Sequence, residues 1–146
     1  RWMDQGASQA IILAEVPNRR FSGDIEVAIK KHVSDKTNWR KMLSGEPSAI
    51  DLLKIKNELS NYVPDELKRY ISKDNNVTHI KYPVSVYPEK IKSLKLEKSH
   101  EISAVLKGIK GQYLIFENNE VFNIRAHEGF VVDFSFEKGS VQSSLF

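Results

Sequence analysis

The chain has 146 residues, of which 40% are hydrophobic and 28% charged, and a net charge of +3. That is the composition of an ordinary globular chain and a length suited to one medium domain or two small ones. No apolar run approaches the roughly 20 residues of a bilayer-spanning helix, so no membrane partner is expected. The absence of cysteine excludes disulfides and thiolate metal sites within these residues and agrees with a cytoplasmic setting.

The excess positive charge falls entirely within residues 1–73, while residues 74–146 are balanced. Much of it lies in "KKHVSDKTNWRK" (30–41), where Lys30, Lys31, Lys36, Arg40 and Lys41 surround Trp39 and a single acid. Such a run reads either as a solvated helix face and loop or as a patch facing a phosphate backbone, of DNA or RNA.

The chain starts at arginine with the apolar rhythm already under way at Trp2 and Met3, so it reads as a piece of something longer. Residues 2–8 suit the end of a short helix stopped at Gly6. "QAIILAEVP" (9–17) is a buried strand ended by proline. Ser22 is placed to cap a helix over 23–34, with Asp24 and Glu26 in its first turn and Ile25, Ala28, Ile29, His32 and Val33 on one apolar face. A turn of helix fits Trp39–Leu43. Pro47 or Ser48 opens the next helix, whose apolar side is Ile50, Leu53, Ile55, Leu59 and Tyr62. "VPDELKRYISK" (63–73) is a short helix with Pro64 at its start, and "KDNN" (73–76) is a polar break.

Beyond it the period changes from helical to alternating. Strands are predicted over 77–88, 91–98, 100–110, 111–118, 120–127 and 130–138. Asn118-Asn119 is a tight hairpin turn, Glu128-Gly129 another turn, and Gly108 and Gly111 mark a bend or bulge. So many short strands suggest a small antiparallel barrel or rolled sheet. On such a barrel Lys107, Lys110, Arg125 and His127 could line one face along a nucleic-acid backbone with Tyr113, Phe116 and Phe122 stacking bases, but alternating aromatics mostly fill a core and this half has no net charge, so the core reading is preferred. Residues 141–146 read as a loose tail.

Phosphate-binding loops, dinucleotide turns, paired-histidine helices and nucleophile elbows are all absent from the sequence. The four histidines are scattered, and no cofactor is needed to explain the fold. The one pair of residues with chemical promise is Arg1 with Glu26. A plain alternative exists: Glu26 stands four residues before Lys30, the favourable order for a helix ion pair.

"RWMDQGASQAIILAEVPNRRFSGDIEVAIKKHVSDKTNWRKMLSGE" and "LKGIKGQYLIFENNEVFNIRAHEGF" resemble a bacterial family, domain of unknown function 2797, over nearly the whole chain. Its members are longer at the N-terminus. The order of Arg1, strand, helix with Glu26, and a lysine-rich stretch ending at Asn38 in turn resembles GIY-YIG nucleases, where two tyrosine-bearing strands come first. The resemblance implies that Glu26 holds a divalent cation such as magnesium, that Arg1 offsets charge on a phosphate and that Asn38 ties the site together. Phosphodiester cleavage uses such parts.

The expected architecture is therefore α+β. Residues 1–46 would be a remnant of a GIY-YIG-like α/β domain, 47–75 a helical connector and 76–140 an antiparallel β domain. The expected function is that of a nucleic-acid-acting protein whose nuclease site is incomplete, and so inactive, in this piece. A non-catalytic nucleic-acid-binding module and a protein-interaction or scaffold domain are the alternatives.

Overall fold

The computed structural model describes residues 2–34, 36–45 and 50–136. They form two units, each discontinuous in sequence. A helical unit takes residues 7–34, 36–38 and 50–80, and a sheet unit takes 2–6, 39–45 and 81–136. The architecture is α+β. Among the described residues, no helix is long and apolar enough to cross a membrane.

The helical unit begins with the strand predicted over 9–17, which proves to be two short pairings. β1 (Gln9–Ala10) pairs antiparallel with β2 (Thr78–His79). Further on, Ala14 bridges Ile71, with the Glu15 N–H donating to the Tyr70 carbonyl and the Ser72 N–H donating to the Leu13 carbonyl, both at 2.9 Å. Pro17 then ends the strand.

α1 runs Arg19–Ile29. Its cap is Asn18 rather than Ser22: the Asn18 side chain accepts the Phe21 N–H at 3.0 Å. Asparagine is as strong a cap as serine, and it comes first after the proline-ended strand. The earlier start brings an earlier end, so His32 and Val33 fall beyond the helix and are exposed. The His32 ring stacks on Tyr62 with centroids 3.5 Å apart. The core is Ile25 of α1 with Val63 and Leu67, surrounded by Leu13, Phe21, Tyr70 and Ile71 among others.

α3 (Leu52–Ser60) is capped by Asp51, whose carboxylate accepts the Lys54 N–H at 3.0 Å. The predicted opening at Pro47 or Ser48 lies outside the described residues. The apolar side expected of this helix is only partly used, since Ile50, Leu53 and Tyr62 are exposed. The buried side chain is Lys56, whose ammonium donates to the Asp74 carbonyl at 2.6 Å and to Asn75 Oδ1 at 3.2 Å. The segment 63–73 contains a 3-10 helix, Asp65–Tyr70, that follows Pro64.

The sheet unit has α2 (Trp39–Leu43) and four strands, β3 (Lys92–Leu94), β4 (Leu106–Lys110), β5 (Tyr113–Phe116) and β6 (Glu120–Asn123), and α2 packs on β5 and β6. Their order is β3-β6-β5-β4. Of the barrel or rolled sheet expected, a closed barrel does not form among the described residues, because β3 and β4 are the two edges of an open sheet. The sheet is also not wholly antiparallel, since β3 runs parallel to β6. Residues 130–136, predicted as a strand, join no ladder and leave Val131, Phe134 and Phe136 largely exposed.

Local turn chemistry explains the hairpins. Asn118 and Asn119 both have positive φ, at 60° and 64°, the signature of a hairpin turn whose twist matches its strands. Gly111 turns β4 into β5 at φ +58°, and a Cβ there would collide with the Asp4 carbonyl. A bulge between Leu106 and Gly108 brings β4 against Val84, where a Cβ on Gly108 would lie 2.7 Å from the Val84 Cα.

One sheet face carries Tyr113, Ile115 and Val121, and Leu43 of α2 completes this core. His127, also buried, accepts the Leu96 N–H at Nε2 (3.3 Å), so Nδ1 carries the proton and donates to the Asn123 carbonyl at 2.8 Å. The tail predicted at 141–146 lies outside the described residues.

Leu43 is fully buried and Val27 is 71% exposed. Leu43→Ala should therefore lower the unfolding free energy by about 3 kcal/mol in urea titration, while Val27→Ala should change it by less than about 0.5 kcal/mol. Equal effects would contradict the core assignment.

Candidate functional site

Alternate residues of an extended strand direct their backbone groups to opposite sides. In the segment 11–16, Leu13 and Glu15 spend theirs on residues 70–72. Ile12, Ala14 and Val16 therefore face the other way, and their N–H and C=O groups have no hydrogen-bond partner among the described residues. Beside this open edge, α1 and the strand enclose a hollow of about 270 Å³. Ile12, Leu13, Ala14 and Val16 line it from the strand, and Ser22, Ile25, Glu26 and Ile29 from the helix.

Glu26, the predicted metal ligand, stands exposed at this hollow. Its neighbours there are mostly aliphatic, and Ser22 supplies the only other side-chain oxygen. Magnesium takes about six oxygen ligands, several of them water. It is commonly held by one or two protein carboxylates, with water and substrate phosphate in its remaining positions, so Glu26 would be the carboxylate to hold such an ion here. Among the described residues, no group of three or more His, Asp or Glu side chains converges anywhere. Arg1 lies outside the described residues. Asn38 is exposed in the coil just before α2.

The basic residues singled out in the sequence lie on the surface. Lys30 and Lys31 follow the end of α1, Lys36 comes next, and all three are exposed. The Lys36 N–H donates to Ser34 Oγ at 3.3 Å. On α2, Arg40 and Lys41 are exposed while Trp39 is half-buried. The Trp39 ring lies nearly parallel to Tyr113, with centroids 5.7 Å apart and planes at 9°, and the Arg40 guanidinium covers it 4.6 Å from its centroid. Trp39 is thus a core anchor that also carries a planar cation.

Two residues that the alternation allows on one face of a barrel are instead structural. His127 is buried as described, and Lys110 is only 3% exposed. The Lys110 ammonium donates to the Met42 carbonyl at 2.9 Å and lies 5.7 and 5.0 Å from the ring centroids of Tyr82 and Tyr87. Burial lowers the Lys110 pKa from its ordinary value, and burial followed by the nearby Asp4 and Tyr87 raises that of Tyr82. The open strand edge and Ser22 at the hollow are features that sequence reasoning missed. The "AIILAEV" run signalled a strand, but only its pairing reveals which side is vacant.

The family model described as "Protein of unknown function (DUF2797)" matches residues 1–132. No curated protein and no solved structure matches the chain.

Lys110 gives a pH dependence with a definite sign. Its folded pKa lies below the ordinary 10.5, so the unfolded chain binds its proton more tightly. Stability from this group rises with pH as the folded amine deprotonates, up to about 10.5. Unfolding free energies measured between about pH 8 and 10 should rise in wild type relative to Lys110→Met. Parallel curves would contradict the assignment.

Proposed function

We propose that this chain, which belongs to the family of proteins of unknown function DUF2797, binds a DNA or RNA backbone as a non-catalytic module. The observation that carries this reading is the exposure of Lys30, Lys31 and Lys36 on the helical unit, with Arg40 and Lys41 exposed on the sheet unit. Lys56 and Lys110, by contrast, are buried in structural hydrogen bonds. Exposed ammonium and guanidinium groups in a short run suit phosphate contacts, which release counterions and give affinity without sequence preference. Arg40 adds a planar donor held in place by Trp39, a geometry suited to two-point phosphate contact.

The GIY-YIG reading, with Arg1, Glu26 and Asn38 cleaving a phosphodiester through magnesium, rests on the resemblance alone. Glu26 is the one carboxylate at the hollow that would hold such an ion.

Fluorescence anisotropy with a labelled single strand and a duplex, between about 50 and 200 mM salt, tests the binding reading. Affinity should fall steeply with salt and be unchanged by chelator. The double variant Lys30→Ala/Lys31→Ala should lower the slope of log K against log salt by about 2. No binding at the lowest salt, or a slope unaffected by the double variant, would contradict it.

A further inference from the structure

Phosphate contacts leave an aromatic pair in the same run without a role. His32 follows Lys30 and Lys31 directly, and its ring stacks on Tyr62 with centroids 3.5 Å apart and planes at 13°. That spacing is close to the roughly 3.4 Å that separates successive nucleotides along one strand. Both residues belong to the helical unit and both are exposed, Tyr62 at 48%. A second ring pair of this unit, Phe21 with Tyr70, is half-buried around Ile25, Val63 and Leu67. That pair serves the core, whereas His32 and Tyr62 lie outside it. Each of the two rings also has an anchored backbone. The His32 N–H donates to the Ile29 carbonyl at 2.9 Å where α1 ends, and the Tyr62 N–H donates to the Leu59 carbonyl at 3.0 Å where α3 ends. The rings are therefore stacked before any ligand arrives, which reduces the ordering that binding must impose.

We propose that the His32–Tyr62 stack is a platform for a nucleobase, so that the ligand of this cationic run is nucleic acid with unpaired bases. The inference rests on the backbone-binding reading above and supplies what that reading lacks, a contact to the bases. An aromatic ring accepts any base, because every base has a π-face, and rings beside a cationic surface grip single strands without sequence preference. Lys30 and Lys31 precede His32 in the chain and place two cations for the phosphates that adjoin the stacked base. A duplex keeps its bases paired and offers the same surface only its phosphates.

Fluorescence anisotropy with labelled strands of about 12 nucleotides, a length within the range such sites cover, tests it. Oligothymidine and oligouridine are each compared with an abasic strand carrying the same number of phosphates. The base-bearing strands should bind wild type about tenfold more tightly than the abasic strand, the order of one stacked base, and their ranking identifies the source as DNA or RNA. Tyr62→Leu should remove this difference while leaving the abasic strand, a duplex and the salt slope unchanged. Tyr62→Phe, which keeps the ring, should retain it. Equal binding of base-bearing and abasic strands would overturn the platform and leave backbone binding standing. Binding to no strand at the lowest salt would overturn both. Equal loss of every ligand in Tyr62→Leu would also overturn the platform. The comparison of base-bearing with abasic strands needs no change to the protein.

Discussion

Every backbone N–H and C=O taken from water needs a partner, and this requirement organises both units. Where the chain meets it, the structure is held by a few bonds of long sequence separation. Residues 13–15 pair with 70–72, and residues 83–85 pair with β4. Along Ile12, Ala14 and Val16 these groups meet no partner among the described residues. A buried or half-buried amide without a partner costs about 1–3 kcal/mol, so an edge of this kind is either solvated or completed by a further strand.

The same demand explains the two buried lysines. Lys56 closes the segment 74–75 by donating to its oxygens, and Lys110 ties β4 to the C-terminal end of α2 through the Met42 carbonyl. Each takes a place where an apolar residue would ordinarily sit, and each satisfies a carbonyl that would otherwise be left without a donor. Removing such a charge together with its hydrogen bond differs from removing a methyl group, because the remaining acceptor is stranded. Lys110 also has two tyrosine rings beside it, which offset part of the loss of water through the attraction of a cation to an aromatic face.

What the sequence reveals of this fold follows from how local each requirement is. The Asn118-Asn119 turn was legible because positive φ is a demand of one or two residues, whereas Gly111 read as a bend or bulge and is the turn from β4 to β5. The α2 turn and the strands β3 to β6 were legible from period and composition. The start of α1 was not, since Asn18 and Ser22 are equally good caps and only the path of the preceding strand selects between them. The barrel was not, since closure depends on whether β3 meets β4, which no local pattern encodes. Burial of Lys56, Lys110 and His127 was hidden for the same reason: their partners stand 18, 68 and 31 residues away. At the candidate site, Glu26 was legible as a residue of interest. The vacant edge beside it was not, because alternation shows that a strand exists without showing which side is paired.

Amide hydrogen exchange of the free chain, resolved residue by residue, tests the central claim most directly. The Glu15 and Ser72 amides, both bonded across the strand pair, should exchange slowly. Those of Ile12, Ala14 and Val16 should exchange many times faster despite lying in the same segment. Uniform protection across 12–16 would mean that the edge is already filled, and would contradict the account.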